Sequence, residues 1–266
     1  MNRGAAYLAV GKAHAKEASL SAQSLKQHMP DLPTALFTDV PEAITGFDHV
    51  FPIECNSYDR SYNILVFKNS PFDQTLYLDT DTFVANDLHD AFRLLDRFDV
   101  GAVHAPQHQP KFRVDGAPPS FPQYNGGVLL VRKNTHTERF LDHWMKMYMH
   151  DLEQGWEKLY PKGSRKKRFV HCQPSLRQAL YESENIRIAT LPSEYNCRLA
   201  QPAVLMEPVR ILHGTYPDMA GIARLLNAQT GPRLVYMRGS RVIIRPKPFL
   251  ARALECFMPR TITGRG

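Results

Sequence analysis

The sequence predicts an α/β fold in which helices flank one mixed, mostly parallel sheet. A short apolar run, Tyr7 to Val10, is followed by residues 13–28 with apolar positions three and four apart, and then by a second apolar run, Ala35 to Thr38. Strand, helix and strand in this order are typical of a βαβ unit, whose two strands run parallel. Because the alternation continues along the chain, we expect a single Rossmann-like domain.

Later apolar runs predict the remaining elements. We expect strands over residues 48–53, 76–78, 100–105, 127–131, 186–191 and 209–212, and helices over 88–95, from Thr135 onward and over 174–180. Thr135 and Glu138 fit a capping box at the start of the second of these helices. Pro174 suits the first turn of the third. Residues 106–122 are rich in Pro, Gln and Gly, which predicts a loop.

Length and composition favour one large domain. The 266 residues are 43% hydrophobic, which is enough for one sizeable core. No apolar run approaches the ~20 residues of a membrane span, and the first residues lack the apolar core of a signal peptide, so we expect a cytoplasmic protein. The four cysteines form no CxxC pair, which argues against a zinc or redox site. We expect one domain over residues 1–230 and a basic tail over 231–266.

The excess positive charge lies in that tail. The formal net charge is +7, and residues 231–266 contain eight basic residues against one acid, Glu255. Five apolar residues would share one face of a helix there: Phe249, Leu250, Ala253, Leu254 and Phe257. This pattern favours a helix on an anionic membrane surface, with a helix packed on the domain's own core as the alternative. A second basic cluster, residues 162–168, falls in a loop. No nucleic-acid-binding motif is present, and we expect no nucleic-acid partner.

Two carboxylates end the strand predicted over 76–78. Residues 76–84 read LYLDTDTFV, so Asp79 and Asp81 are one residue apart and would point to the same side of a regular strand. Paired carboxylates repel each other unless a cation joins them or one is protonated. Hard oxygen ligands suit Mg²⁺ or Mn²⁺, so the stretch predicts a divalent metal site.

Two enzyme classes use such a stretch. It resembles the DxDx(T/V) motif of the haloacid-dehalogenase-like phosphatases, in which the first Asp is a nucleophile. It also resembles the DxD stretch with which nucleotide-sugar glycosyltransferases hold a divalent metal. A phosphatase of that class opens its domain with this strand and has a later GDxxxD-type motif. Here at least two strands come first and no such motif follows, which favours the metal site.

Four later segments extend the resemblance. They read QYNGGVLLVRKN from residue 123, HCQPSLRQAL from 171, LPSEYNCR from 191 and ILHGT from 211. Together with the DxD stretch, this order resembles the glycosyltransferases of the A fold, especially family 8, which includes glycogenin and the bacterial lipooligosaccharide galactosyltransferases. The resemblance covers roughly residues 5 to 215. It implies a single nucleotide-diphospho-sugar transferase domain over most of the chain.

The resemblance also implies roles for particular residues. Asp79, Asp81 and His213 would bind Mn²⁺, or Mg²⁺, which bridges the phosphates of a nucleoside-diphosphate sugar. Asn125 would contact the donor sugar and Gln173 would lie near its anomeric carbon, so Gln173, Asn125 and Asp81 are the expected catalytic residues. At the position before Gln173, many relatives carry Asp or Glu, and this chain has Cys172.

The donor nucleotide is expected at the ends of the first strands. The resemblance places base and ribose near Ala9, Val10 and Gly11, with Asp39 close by. Gly126 and Gly127 would let the backbone approach the donor closely. A family lysine or arginine that touches the donor precedes the DxD stretch, and Arg60 and Lys68 are both candidates.

The resemblance therefore implies a metal-dependent glycosyltransferase with a UDP-linked donor that retains the anomeric configuration. The acceptor would be the hydroxyl of a glycan, glycolipid or protein, and the basic tail could hold the enzyme at the inner face of a membrane. Because Cys172 replaces an acid, a non-catalytic nucleotide-sugar-binding protein on the same fold stays open. The phosphatase is the remaining alternative.

Overall fold

Helices cover both faces of a central seven-stranded sheet. A computed structural model describes residues 1–55, 58–105, 117–155 and 170–246. In chain order the strands are β1 (Arg3–Ala9), β2 (Thr34–Thr38), β3 (His49–Pro52), β4 (Gln74–Leu78), β5 (Thr82–Val84), β6 (Val100–His104), β7 (Tyr124–Arg132), β8 (Ile188–Leu191), β9 (Ala203–Leu205), β10 (Ile211–His213), β11 (Arg233–Arg238) and β12 (Arg241–Pro246). The central sheet has the order β3-β2-β1-β4-β7-β6-β8. Only β7 runs antiparallel to its neighbours, so the predicted mixed, mostly parallel sheet is confirmed.

Six helices accompany these strands in the described residues. They are α1 (Lys12–His28), α2 (Ser61–Asn69), α3 (His89–Leu94), α4 (Thr135–Gln154), α5 (Cys172–Glu182) and α6 (Met219–Asn227). Apolar side chains of α1 and α3 pack in one cluster on one face of the sheet, and those of α2, α4 and α5 pack in a second cluster on the other. Strand β1 serves both, because Tyr7 belongs to the first cluster and its neighbours Ala6 and Leu8 to the second.

The reversed direction of β7 brings its first residues to the carboxyl edge of the sheet. Strands β1, β2, β4, β6 and β8 all end at this edge, whereas β7 begins there. In the β4–β7 register Leu78 lies opposite Val128, and the Asp79 amide donates to the Gly127 carbonyl at 2.8 Å. Ligands of open α/β sheets bind outside this edge.

A smaller layer packs beside this edge. Strands β5 and β10 form an antiparallel pair, and β12-β11-β9 form a three-stranded sheet. Their apolar residues form a third cluster with α6, in which Val235 and Leu226 are fully buried. Arg233, one of the basic residues assigned to the tail, is also buried and donates to the carbonyls of Gly231 and Glu207. Residues 233–246 thus pair with the rest of the fold.

Several element boundaries differ from the predictions. The capping box of α4 is formed by Asn134 and Thr137, not by Thr135 and Glu138. Strand β7 starts at Tyr124, so the segment expected as a turn before it is part of the strand. Helix α5 begins at Cys172. Helices α2 and α6 and strands β5, β9, β11 and β12 were not predicted as elements.

Three predicted segments lie outside the described residues: the basic cluster at 162–168, most of the 106–122 loop and the amphipathic segment after Pro246. Within the described residues, no helix has the length and apolar character needed to cross a membrane.

The edge of the sheet opposite the predicted site is held by a buried carboxylate. Asp99, fully buried before β6, accepts hydrogen bonds from Arg132 at 2.5 Å and Asn134 at 2.9 Å, and pairs with Arg187 at 3.2 Å. Burial alone would raise the pKa of Asp99, but the hydrogen bonds from Arg187 and Arg132 outweigh it and hold that pKa well below its usual range.

We expect Asp99→Ala to lower the free energy of unfolding by about 3 kcal/mol, because it leaves two guanidinium groups without their carboxylate. Asp96→Ala is the control: Asp96 is 59% exposed and 3.9 Å from Arg3, so its loss should cost less than about 1 kcal/mol. Because the folded-state pKa of Asp99 is depressed, its contribution is present above about pH 4 and is lost on acidification. The free energies of unfolding of the wild type and Asp99→Ala, measured with urea, should converge as the pH falls. A difference between them that stays constant with pH would contradict the assignment.

Candidate functional site

The three predicted metal ligands meet at the carboxyl edge of the sheet. Ligand atoms of Asp79, Asp81 and His213 all lie within 4.8 Å of one another. Asp79 follows β4, Asp81 precedes β5, and His213 ends β10, where it pairs with Thr82 of β5. His213 Nε2 is 3.7 Å from Asp79 Oδ2 and 3.3 Å from Asp81 Oδ1. Residues 134 positions apart in the chain are therefore held together by one two-stranded ribbon.

The orientation of the His213 ring is set by two buried amides. The ring Nδ1–H donates to Asn196 Oδ1 at 2.8 Å, which leaves Nε2 facing the two carboxylates. Asn196 in turn donates from Nδ2 to Asn125 Oδ1 at 2.9 Å, and the Gly127 amide donates to the same oxygen at 3.0 Å. A hydrogen bond of this kind fixes the tautomer and direction of a metal-ligating histidine. Asn125 therefore supports the His213 ring through Asn196.

A second chain of hydrogen bonds orients Asp79. The Tyr77 hydroxyl donates to Asp79 Oδ1 at 3.0 Å and accepts from Asn63 Nδ2 at 2.5 Å. Asn63 Oδ1 accepts from Tyr58 at 3.0 Å, and the Tyr58 hydroxyl accepts from Arg60 at 2.9 Å. With Oδ1 occupied by Tyr77, the other carboxylate oxygen, Oδ2, is the one directed at His213.

The donor set fits a divalent cation. Two carboxylates and one imidazole suit Mn²⁺ somewhat better than Mg²⁺, because Mn²⁺ accepts nitrogen more readily. Burial would raise the pKa of Asp81, but the neighbouring His213, 3.3 Å away, outweighs burial and the pKa lies below its usual value. Asp81 is therefore ionised at neutral pH and can act as a ligand.

Gly127 is required by the close approach of β7 to the carboxylates. A Cβ atom at this position would lie 2.4 Å from Asp79 Oδ2 and 2.4 Å from His213 Cε1. Such distances are far shorter than van der Waals contact, so any side chain here would displace both groups. At Gly126 the nearest atom to an added Cβ, in Gln173, is 3.9 Å away, which is ordinary contact.

A cavity of about 500 Å³ opens over the three ligands. Of the residues predicted to contact the donor, it is lined by Val10, Asn125, Gly126, Gly127 and Gln173. The size is typical of a small-molecule site, for which volumes of roughly 300–1,000 Å³ are usual.

The remaining predicted donor residues lie off this cavity. Ala9 is 1% exposed and packs in the cluster beneath α1, because successive strand residues face opposite sides of the sheet. Gly11, with φ of +82°, donates its amide to Asp39 Oδ1 at 2.7 Å, so these two residues form a pair just beyond β1 and β2.

The start of α5 forms one wall of the cavity. Gln173 donates from Nε2 to the Tyr124 carbonyl at 3.2 Å, which fixes its side chain against β7. The pKa of the Cys172 thiol is raised to about 11, mainly by burial. The charge of Arg60 opposes this increase and that of Asp79 adds to it. Cys172 is therefore protonated at neutral pH and supplies no charge where the resemblance implies an acid.

Of the two candidates for the basic donor contact, Arg60 lines the cavity, whereas Lys68 lies outside it and pairs with Asp142 at 2.5 Å. Two other residues of this region had no role in the sequence analysis. Arg198 also lines the cavity, and it falls within the LPSEYNCR segment, whose order in the chain was the only available signal. Asn196 of the same segment carries the hydrogen bond to His213.

The fold resembles that of solved glycosyltransferases. The glycosyltransferase GlyE of Streptococcus pneumoniae superposes with a TM-score of 0.53 at 17% identity over 85% of the chain. The chain spans 61% of the length of GlyE. The galactosyltransferase LgtC, solved with donor and acceptor sugar analogues, superposes with a TM-score of 0.50 at 17% identity, covering 85% of this chain and 95% of LgtC. No model of a protein family matches the sequence, and no curated protein matches it.

At this level of identity the similarity establishes the fold. The protein has the glycosyltransferase A fold, with the seven-stranded mixed sheet flanked by helices that the resemblance implied. The Asp79, Asp81 and His213 group at the carboxyl edge is compatible with a metal site.

We expect Gly127→Ala to abolish high-affinity Mn²⁺ binding, because the added methyl group would overlap Asp79 and His213. Gly126→Ala should retain binding, since its Cβ meets only ordinary contacts. Isothermal titration of Mn²⁺ into the two variants gives the comparison. Equal affinity in both would show that the close approach of β7 does not position the ligands.

We expect Tyr77→Phe to weaken Mn²⁺ binding by about 10- to 100-fold, the effect usual for the loss of a hydrogen bond to a metal ligand. The ring stays buried and only the hydroxyl that donates to Asp79 is removed. Tyr124→Phe is the matched control, because the Tyr124 hydroxyl bonds to Thr190 instead. Unchanged affinity in Tyr77→Phe would rule out this orienting role.

Proposed function

We propose that the protein is a metal-dependent glycosyltransferase that transfers a sugar from a nucleoside-diphosphate donor, UDP-linked, to an acceptor hydroxyl. The observation that carries the proposal is the Asp79, Asp81 and His213 group at the floor of the cavity, on the glycosyltransferase A fold. Both similar structures are of glycosyltransferases, which supports this reaction class over the phosphatase.

Different residues around the proposed ligands would contact different parts of the donor. Val10, with the Gly11–Asp39 pair beyond it, lies on the side where the base and ribose would bind. Gln173 and Gly126 lie on the side of the sugar, and Arg60 adds a cation near Asp79. Burial would lower the Arg60 pKa, but Tyr58 and Asp79 outweigh burial and hold that pKa above its usual value. A bound Mn²⁺ or Mg²⁺ would neutralise charge on the leaving diphosphate.

We infer transfer with retention by attack on the same face as the departing diphosphate. The carboxylates that line the cavity in the described residues are Glu17, Asp79 and Asp81. Glu17 is held by Thr80 and His14, both at 3.1 Å, and the two aspartates are the proposed ligands. With Cys172 protonated, no described group is placed as a nucleophile for a covalent intermediate. The acceptor oxygen would bond to the anomeric carbon as the bond to the diphosphate breaks, and a diphosphate oxygen would take the hydroxyl proton.

The alternative, a non-catalytic nucleotide-sugar-binding protein, is favoured by Cys172 alone. A neutral thiol cannot replace an acid that contacts sugar hydroxyls, so donor binding without turnover is the result this alternative predicts. The acceptor and the location at the inner face of a membrane stay predictions, since the amphipathic segment lies outside the described residues.

We expect Asp81→Asn to lower Mn²⁺-dependent turnover of the preferred UDP-sugar by about 100-fold or more, because one ligand charge is lost where the diphosphate leaves. Asp87→Asn makes the same change at a partly exposed carboxylate paired with His89, and should keep wild-type turnover. Screening UDP-sugars for hydrolysis and transfer gives the measurement. The product should retain the anomeric configuration by NMR, and inversion would exclude attack from the same face. UDP-sugar binding without turnover in the wild type would favour the non-catalytic alternative.

A further inference from the structure

A second cavity adjoins the first along the same edge of the sheet. It measures about 350 Å³ and is formed by the ends of β6 and β8, the residues that follow β8, and the start of β7. Asn125 and Arg198 line both cavities. Because β7 stands between β4 and β6 in the sheet, the first cavity lies over the β1, β4 and β7 side and the second over the β7, β6 and β8 side.

The second cavity is lined by apolar residues, Leu191 and Val204 among them, and by basic and amide side chains. Arg198 and His104 are its ionisable residues, and the amides of Asn125, Asn196 and Gln201 add hydrogen-bonding groups. No Asp or Glu is among its lining residues in the described part of the chain, in contrast to the first cavity. Such a lining suits a ligand that carries a negative charge and several hydroxyl groups.

Hydrogen bonds fix the backbone of Arg198 beside the Asp79, Asp81 and His213 group. The preceding residue, Cys197, bridges to β10: its amide donates to Ile211 at 2.8 Å and its carbonyl accepts from His213 at 2.9 Å. The Arg198 guanidinium itself makes no hydrogen bond or ion pair within 4 Å with another described residue. A guanidinium on a fixed backbone can bind a carboxylate or phosphate through two parallel hydrogen bonds.

We propose that the second cavity binds the acceptor, and that the acceptor is an acidic sugar whose carboxylate or phosphate pairs with Arg198. This assignment rests on the proposed glycosyltransferase function and specifies its acceptor. An acceptor bound there would lie next to the donor, with Asn125, one of the two residues that line both cavities, between them. The diphosphate of the donor is served by the metal group and Arg60 on the other side of that boundary.

The test measures binding of small acidic sugars in the absence of metal and nucleotide. Glucuronate, glucose 6-phosphate, glucose and inorganic phosphate are compared by saturation-transfer NMR and calorimetry on the full chain. We expect the two acidic sugars to bind about tenfold more tightly than glucose, the gain of one hydrogen bond to a charged group. The relative affinity of glucuronate and glucose 6-phosphate distinguishes a carboxylate from a phosphate acceptor.

Variants assign the effect to Arg198. Arg198→Gln should reduce both acidic sugars to the affinity of glucose, and Arg198→Lys should restore part of the preference. Arg97→Gln is the matched control, because Arg97 is exposed and precedes β6 at the opposite edge of the sheet. A preference that survives Arg198→Gln, or no preference at all, would overturn the proposal.

Two further arms separate this proposal from the proposed function. If UDP with Mn²⁺ displaces the acidic sugar, Arg198 serves the donor and the acceptor assignment is wrong. If inorganic phosphate binds as tightly as glucose 6-phosphate, the cavity is a simple anion site and the assignment is likewise wrong. Acidic-sugar binding is measured without metal or nucleotide, and Mn²⁺ binding is measured without sugar, so a failure of the donor site and a failure of the acceptor site give different results.

Discussion

The close approach of β7 to the end of β4 is the contact on which the candidate site depends. Asp79 donates its amide to Gly127, and the absence of a side chain at Gly127 leaves room for the Asp79 carboxylate and the His213 ring. Because β7 is antiparallel to its neighbours, its first residues, rather than its last, lie at the carboxyl edge. One reversed strand thus brings Asn125 and Gly127 to the side of the sheet where the parallel strands end.

Around this contact, the Asp79, Asp81 and His213 group is held from two directions. The Asn125 and Asn196 amides hold His213 from the β7 side, and Tyr77 with Asn63 holds Asp79 from the α2 side. Carboxylates placed this close repel each other without a cation. Buried hydrogen bonds from both directions keep the ligand atoms converged despite that repulsion, which is the preorganisation a metal site requires.

The sequence predicted those parts of the fold whose signals are local. Strands β2 and β4 and helix α1 have clear local patterns and were located to within two residues, whereas β1 begins four residues earlier than predicted. Helix α2 was missed because Ile64 to Phe67 is a continuous apolar run that fits a buried strand as well as a helix. Strands β5 and β9 have three residues each, too few for a pattern. The NGG segment has low strand propensity, yet it continues β7, and its Gly127 carbonyl accepts a hydrogen bond from the Asp79 amide.

The same distinction applies to the site. Asp79 and Asp81 could be predicted from two carboxylates spaced one residue apart after a strand, and His213 only from the resemblance. Asn196, Tyr77 and Arg198 reach the site through contacts that only the fold creates. Charge counting illustrates the difference. The sequence concentrates its whole net charge in the last segment, yet Arg233 of that segment is buried in the structure. Arg60 and Arg198 line the first cavity together with the carboxylates of Glu17, Asp79 and Asp81, and Arg198 also lines the second cavity. No described residue of the basic segment lines either cavity.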